Sequence, residues 1–192
     1  LNDGKVDRQG RFLAGTMQLH WAEGEAPAGG LFRLDGARAV PLAGDFATFN
    51  GPCFSPDGGT LYCADSSRRV IWAFDYDTAT GTPANRRVFA EPGTAPDGAT
   101  VDAEGRVWSA LVRAGALACF APDGRELRRI AMPVRHPTSL AFGGPGLEVL
   151  FVTSISRSVR LADDSAGAGG LFAITGLAAR GLAERRCVRP SG

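Results

Sequence analysis

The chain has 192 residues, 44% of them apolar and 21% charged, with a formal net charge of +1. This balance excludes the strongly basic surface of a nucleic-acid binder, and no apolar run is long enough to span a bilayer, so a cytoplasmic protein with no nucleic-acid or membrane partner is expected. The 26 Gly and 12 Pro suit many short strands joined by tight turns, and no segment holds a clean i, i+3, i+4 apolar pattern. An all-β fold is predicted.

In chain order, the first unit runs Val6-Asp7-Arg8-Gln9-Gly10-Arg11-Phe12 and then Gly30-Leu31-Phe32-Arg33-Leu34-Asp35-Gly36. Ser55-Pro56-Asp57-Gly58 opens the second, leading to Leu61-Tyr62 and Val70-Ile71-Trp72-Ala73-Phe74-Asp75. The third, 95 residues after the first, repeats it as Val101-Asp102-Ala103-Glu104-Gly105-Arg106-Val107-Trp108 followed by Ala116-Leu117-Ala118-Cys119-Phe120. The fourth is Val149-Leu150-Phe151-Val152 with Gly170-Leu171-Phe172-Ala173-Ile174. Each unit is a turn, a short apolar strand, a gap and a second alternating strand. The second strands begin near Leu31, Ile71, Leu117 and Leu171, at intervals of 40, 46 and 54 residues. A period in the forties with several strands per unit marks a β-propeller, and 192 residues supply roughly four blades in one domain, 1–192. Leu1 already reads as the inner part of a blade, so further blades are expected upstream and an open arc is predicted.

Cys53, Cys63, Cys119 and Cys187 have no zinc-ribbon or redox spacing and read as buried free thiols. Asp-Gly pairs recur at turn-like positions, because Gly supplies positive φ without steric cost. Asp57 and Asp123 read as turn residues alone. With only His20 and His136 in the chain, no Ser-His-Asp arrangement stands out. Trp21, Trp72 and Trp108 read as packing between blades, and His136 as a residue connecting two of them.

At Asn2-Asp3-Gly4-Lys5-Val6-Asp7, Gly10-Arg11-Phe12 and Gly15-Thr16-Met17 the chain resembles the SMP-30/gluconolactonase/regucalcin family. The likeness continues through Asn50-Gly51, Ser55-Pro56-Asp57-Gly58, Asp65-Ser66, Phe74-Asp75-Tyr76-Asp77, Pro96-Asp97-Gly98, Pro137-Thr138-Ser139 and Val152-Thr153-Ser154. The resemblance implies a six-bladed propeller, of which this chain is the carboxy-terminal two-thirds, with one divalent cation (Ca²⁺, Zn²⁺, Mg²⁺ or Mn²⁺) in its central channel. It implies hydrolysis of a sugar lactone to its aldonic acid.

Carried over residue by residue, the resemblance makes Asn50 and Asp97 metal ligands and Asp97 the general base. A third ligand, a Glu, has no counterpart in this sequence. Asn2 matches a substrate-binding Asn, and His20, Glu23 and Glu25 stand in a loop that contacts substrate in some members, with His20 and Glu23 the candidates carried forward. A partner Arg would lie one position before Leu1, so the 192-residue chain by itself is expected to be inactive. Two other readings remain open: a non-catalytic calcium-binding propeller, and an organophosphate or aryl-ester hydrolase. Taken without the resemblance, Asn-Gly and Pro-Asp-Gly are ordinary turn sequences.

Overall fold

The computed structural model describes residues 1–18 and 25–188, all strand, turn and irregular backbone with no helix among them. Fifteen strands form four antiparallel sheets, each wound up and down in chain order. The first is β1 (Gly4–Val6), β2 (Phe12–Gly15), β3 (Gly29–Asp35) and β4 (Arg38–Phe46). The second is β5 (Phe49–Phe54), β6 (Thr60–Asp65), β7 (Val70–Asp77) and β8 (Thr82–Ala90). The third is β9 (Ala95–Val101), β10 (Val107–Val112), β11 (Ala116–Phe120) and β12 (Glu126–Ala131). The fourth has three strands, β13 (Pro137–Gly143), β14 (Val149–Ser154) and β15 (Leu171–Ile174). The leading strands β1, β5, β9 and β13 touch one another in that order, so the sheets are four blades of a β-propeller set around one axis.

The paired motif of the sequence is a pinned turn. Asp7 Oδ1 accepts hydrogen bonds from the Gln9 and Arg11 amides, while Oδ2 accepts from Arg11 Nε at 2.6 Å and Tyr76 Oη at 2.8 Å. Asp102 does the same in the third blade, with the Glu104 and Arg106 amides, Arg106 Nε at 2.6 Å and Trp108 Nε1 at 2.8 Å. Both carboxylates are fully buried, and each is saturated by four donors, which is what a buried charge requires. Gly10 and Gly105 follow at φ +94° and +80°, angles that the turn demands and Gly adopts at no steric cost.

Apolar residues pack between blades rather than within one. Leu13, Leu31 and Phe46 of the first blade meet Phe54, Leu61, Phe74 and Tyr76 of the second. Cys53, Tyr62 and Ile71 of the second meet Val107, Leu111 and Phe120 of the third. Trp108 and Leu117 of the third meet Leu140, Leu150 and Val152 of the fourth.

The outer strands β4, β8 and β12 are mostly exposed and carry Arg, Asp, Pro and Glu, so they give no apolar alternation in the sequence. Segment 176–188 crosses back beneath the blades. Gly181 bonds to Leu147, the Ala103 amide to Arg180, and the Val188 amide to Gly10. Lys5 and Glu184 form an ion pair at 2.6 Å.

Three of the four cysteines are buried and free as expected, whereas Cys187 is exposed because its segment lies on the surface. Trp108 is fully buried with Arg128 stacked on its ring at 4.7 Å. Trp72 packs at the edge of the first inter-blade core, and Trp21 lies outside the described residues. His136 is buried between β12 and β13, with Nε2 bonded to the Ala162 carbonyl.

Candidate functional site

Asn50 and Asp97 stand near the start of the inner strands β5 and β9, not in turns. The glycines that follow them explain the sequence signal. Gly51 has φ +51°, and a Cβ there would collide with the Asp97 carbonyl oxygen. A Cβ on Gly98 would collide with Ser139 Oγ and sit 2.7 Å from Ser139 Cα. Inner strands converge at the propeller axis, and each Gly admits the backbone of the next blade. By contrast, Asp57 and Asp123 do lie in turns between strands.

Asn2, Asn50 and Asp97 line one cavity of about 1120 Å³ at this end of the axis, together with Ser66, Arg69 and Arg113. Asn2 Nδ2 donates both its hydrogens, to the Phe49 carbonyl at 2.7 Å and to Asn50 Oδ1 at 2.6 Å. Asn50 Nδ2 donates to Ser66 Oγ at 2.8 Å, and Ser66 Oγ donates to the Pro96 carbonyl at 2.5 Å. One relay thus ties three blades together. Because Ser66 holds the amide nitrogen of Asn50, its oxygen is turned the other way, toward Asn2. Ser66 therefore sets the orientation of Asn50 and the position of the backbone just before Asp97. Neither role is visible in the Asp65-Ser66 dipeptide.

Asp97 lies half-buried in the cavity wall. Its carboxyl is pushed up to about 7, first by burial and then by the negative charge of Asp3, with the Gly98 amide acting in the opposite sense. Asp3 is held facing the same region by the Gly51 amide at 2.8 Å and the Gly4 amide at 2.7 Å. No basic side chain contributes to the balance at Asp97. Among the described residues no three His, Cys, Asp or Glu side chains converge as a ligand group, so the donors here are a carboxylate and amide oxygens. A half-buried carboxylate with no counter-charge, beside a pinned amide oxygen, fits a hard divalent cation. His20 and Glu23 lie outside the described residues.

Four blades around one axis, with a cavity at its end lined by Asn2, Asn50 and Asp97, define a β-propeller with an axial pocket. The family model described as SMP-30/Gluconolactonase/LRE-like region matches residues 1–156, and the chain belongs to this family. It is 40% identical over 170 residues to a 6-deoxy-6-sulfogluconolactonase of Pseudomonas putida, an alignment covering 86% of this chain and 57% of the relative. It is 37% identical over 194 residues to a regucalcin of Xenopus laevis, covering 95% of this chain and 64% of the relative. A solved calcium-binding regucalcin from Agrobacterium tumefaciens superposes with a TM-score of 0.86 at 30% identity, covering 97% of this chain and 64% of that one. The chain therefore spans about three-fifths of the length of the relatives it matches.

Proposed function

We propose that the protein carrying this chain hydrolyses a sugar lactone to its aldonic acid with the help of one divalent cation held by Asn50 and Asp97. The observation that carries this reading is the meeting of Asn2, Asn50 and Asp97 in one axial cavity, although they lie up to 95 residues apart in the sequence. Relatives named as lactonases support the reaction class, and the solved structure described as a calcium-binding protein, regucalcin, supports the ion. A cation held there would supply Lewis-acid polarisation of the lactone carbonyl.

Asp97 accepts a proton from the attacking water as its oxygen bonds to the carbonyl carbon. The ring C–O bond then breaks, and that proton passes to the departing alkoxide, leaving a hydroxy acid. A carboxylate in the cavity wall can take a proton and return it in this way. Asn2 spends its two amide hydrogens on Phe49 and Asn50, so its oxygen is the group left to accept a bond from a sugar hydroxyl. Asn50 Oδ1 and Asp97 would hold the ion, with Ser66 keeping Asn50 in place.

The test is a pH-stat assay of γ- and δ-lactones with the metal-free protein, with Ca²⁺, Mg²⁺, Mn²⁺ or Zn²⁺ added back, and with Asp97→Asn. Turnover that depends on the ion and falls by about 10³-fold or more in the variant is the expected result. Cation binding by calorimetry with no turnover of any lactone overturns the reading and points to a calcium-binding propeller instead. Cleavage of aryl esters or organophosphates with lactones left intact overturns the substrate assignment.

A further inference from the structure

Three arginines line the axial cavity, Arg69, Arg113 and Arg160, and the proposed reaction leaves them unused; the first two stand at equivalent positions in neighbouring blades. Arg69 sits in the turn between β6 and β7, and Arg113 in the turn between β10 and β11. The strand pairing places both turns at the cavity end of their blades: Phe49 pairs with Asp65, and Ala95 with Val112. Both residues line the cavity and both are exposed at its mouth. Neither guanidinium has an ion-pair or hydrogen-bond partner among the described residues, whereas Arg68, next in sequence to Arg69, is paired with Asp45.

Their backbones point the same way. Arg69 has φ +59° and Arg113 φ +74°, in the left-handed region where Gly or Asn is accommodated and a long side chain costs conformational energy. Two blades thus place a strained, unpartnered arginine at equivalent hairpins over one cavity. Asp45, Asn85, Leu147 and Ala178 share this backbone region away from the cavity, so it is the position of Arg69 and Arg113 at the mouth, together with the strain, that marks them as ligand-binding candidates. The cavity wall has the opposite character at Asp97, which also feels the negative charge of nearby Asp3.

We infer that Arg69 and Arg113 select a lactone carrying an anionic substituent (a carboxylate, sulfonate or phosphate) remote from the lactone ring. The inference rests on the lactone-hydrolase reading of the same cavity. Guanidinium groups bind the oxygens of such anions in bidentate geometry, and two of them at the mouth hold the charged end away from Asp97 while the lactone faces the cavity wall that carries it.

The experiment compares glucaro-1,4-lactone, which carries a carboxylate, with the neutral galactono-1,4-lactone. Binding is measured by calorimetry and turnover by pH-stat, for the wild-type protein and for Arg69→Asn/Arg113→Asn. Asn tolerates the left-handed backbone, so the double variant is expected to keep the wild-type unfolding temperature or exceed it. The expected result is a wild-type preference for the charged lactone that weakens with added salt and drops about tenfold in the variant. An unchanged ratio of affinities, or no binding of glucaro-1,4-lactone, overturns the inference. Charge-selective binding that depends on the two arginines, with neither lactone hydrolysed, upholds the inference while overturning the hydrolase reading.

Discussion

Ser66 is the residue on which the candidate site turns without being a ligand. Its hydroxyl accepts from Asn50 and donates to the Pro96 carbonyl, so Ser66→Ala releases the amide of Asn50 to rotate. Groups that orient a metal ligand are typically worth about 10- to 100-fold in affinity. Calorimetric titration of the metal-free protein is expected to show that loss, with the melting temperature little changed. Asp97 sets a pH dependence of the opposite sign to most carboxylates. Its folded value near 7 lies above the ordinary unfolded value of about 3.9, so the folded state binds the proton more tightly. Stability of the metal-free protein is therefore expected to fall as pH rises from about 4 through 7 and to level off above that. Asp97→Asn removes this fall, and melting curves of both proteins in chelator at several pH values check it. The buried Asp102 serves the fold instead, since Asp102→Ala strands Arg106 and the Trp108 indole at once. The expected loss is about 3 kcal/mol in urea unfolding, the scale of a broken buried pair.

Among the strands, the inner ones carry the candidate site residues Asn50 and Asp97, and the outer ones face solvent. β5 is buried along its whole length and β12 is almost wholly exposed. The contact of β9 with β13 depends on Gly98, where a methyl group meets Ser139 backbone and side chain. Gly98→Ala is expected to destabilise the fold by about 1–3 kcal/mol and to weaken cation binding, since Asp97 must move with its strand. Gly44→Ala is the matched control, because nothing lies within 4 Å of the added Cβ and its φ is not positive. Equal melting temperatures for the two variants would show that the inner strands have room to separate.

The whole molecule is held by its inter-blade cores. Phe54 stacks edge-on against Tyr76 at 4.9 Å and lies in the core shared by the first two blades, while the Tyr76 hydroxyl reaches Asp7 across the same boundary. Phe54→Ala is expected to cost about 3–5 kcal/mol. Because each blade's apolar face is covered only by its neighbour, the loss should lower one cooperative transition rather than melt a single blade, as calorimetry and near-UV dichroism together would show.

Much of this architecture is local and could be read from the chain. The echo of Val6–Phe12 in Val101–Trp108 is a turn whose own Asp, Gly and Arg bond to each other, so its residues specify it wherever it occurs. The middle strands, buried on both faces, wrote their apolar runs into the sequence at Leu61, Leu117 and Leu150. The four-blade propeller followed from the spacing of these units. The outer strands left no trace, since a solvated strand has no apolar period. Asn50-Gly51 and Asp97-Gly98 were legible only through resemblance, because an Asn-Gly or Asp-Gly pair fits a turn as readily as a strand at an axis. Which of the two it becomes depends on the neighbouring blade, whose backbone must occupy the space the Gly leaves open. The effect of Asp3 on Asp97, the bonds from Asn2 to Asn50 and from Ser66 to Pro96, and the presence of Arg69 and Arg113 over one cavity all involve groups from different blades. Such contacts have no counterpart in local sequence, and only closure of the blades around their axis brought them into being.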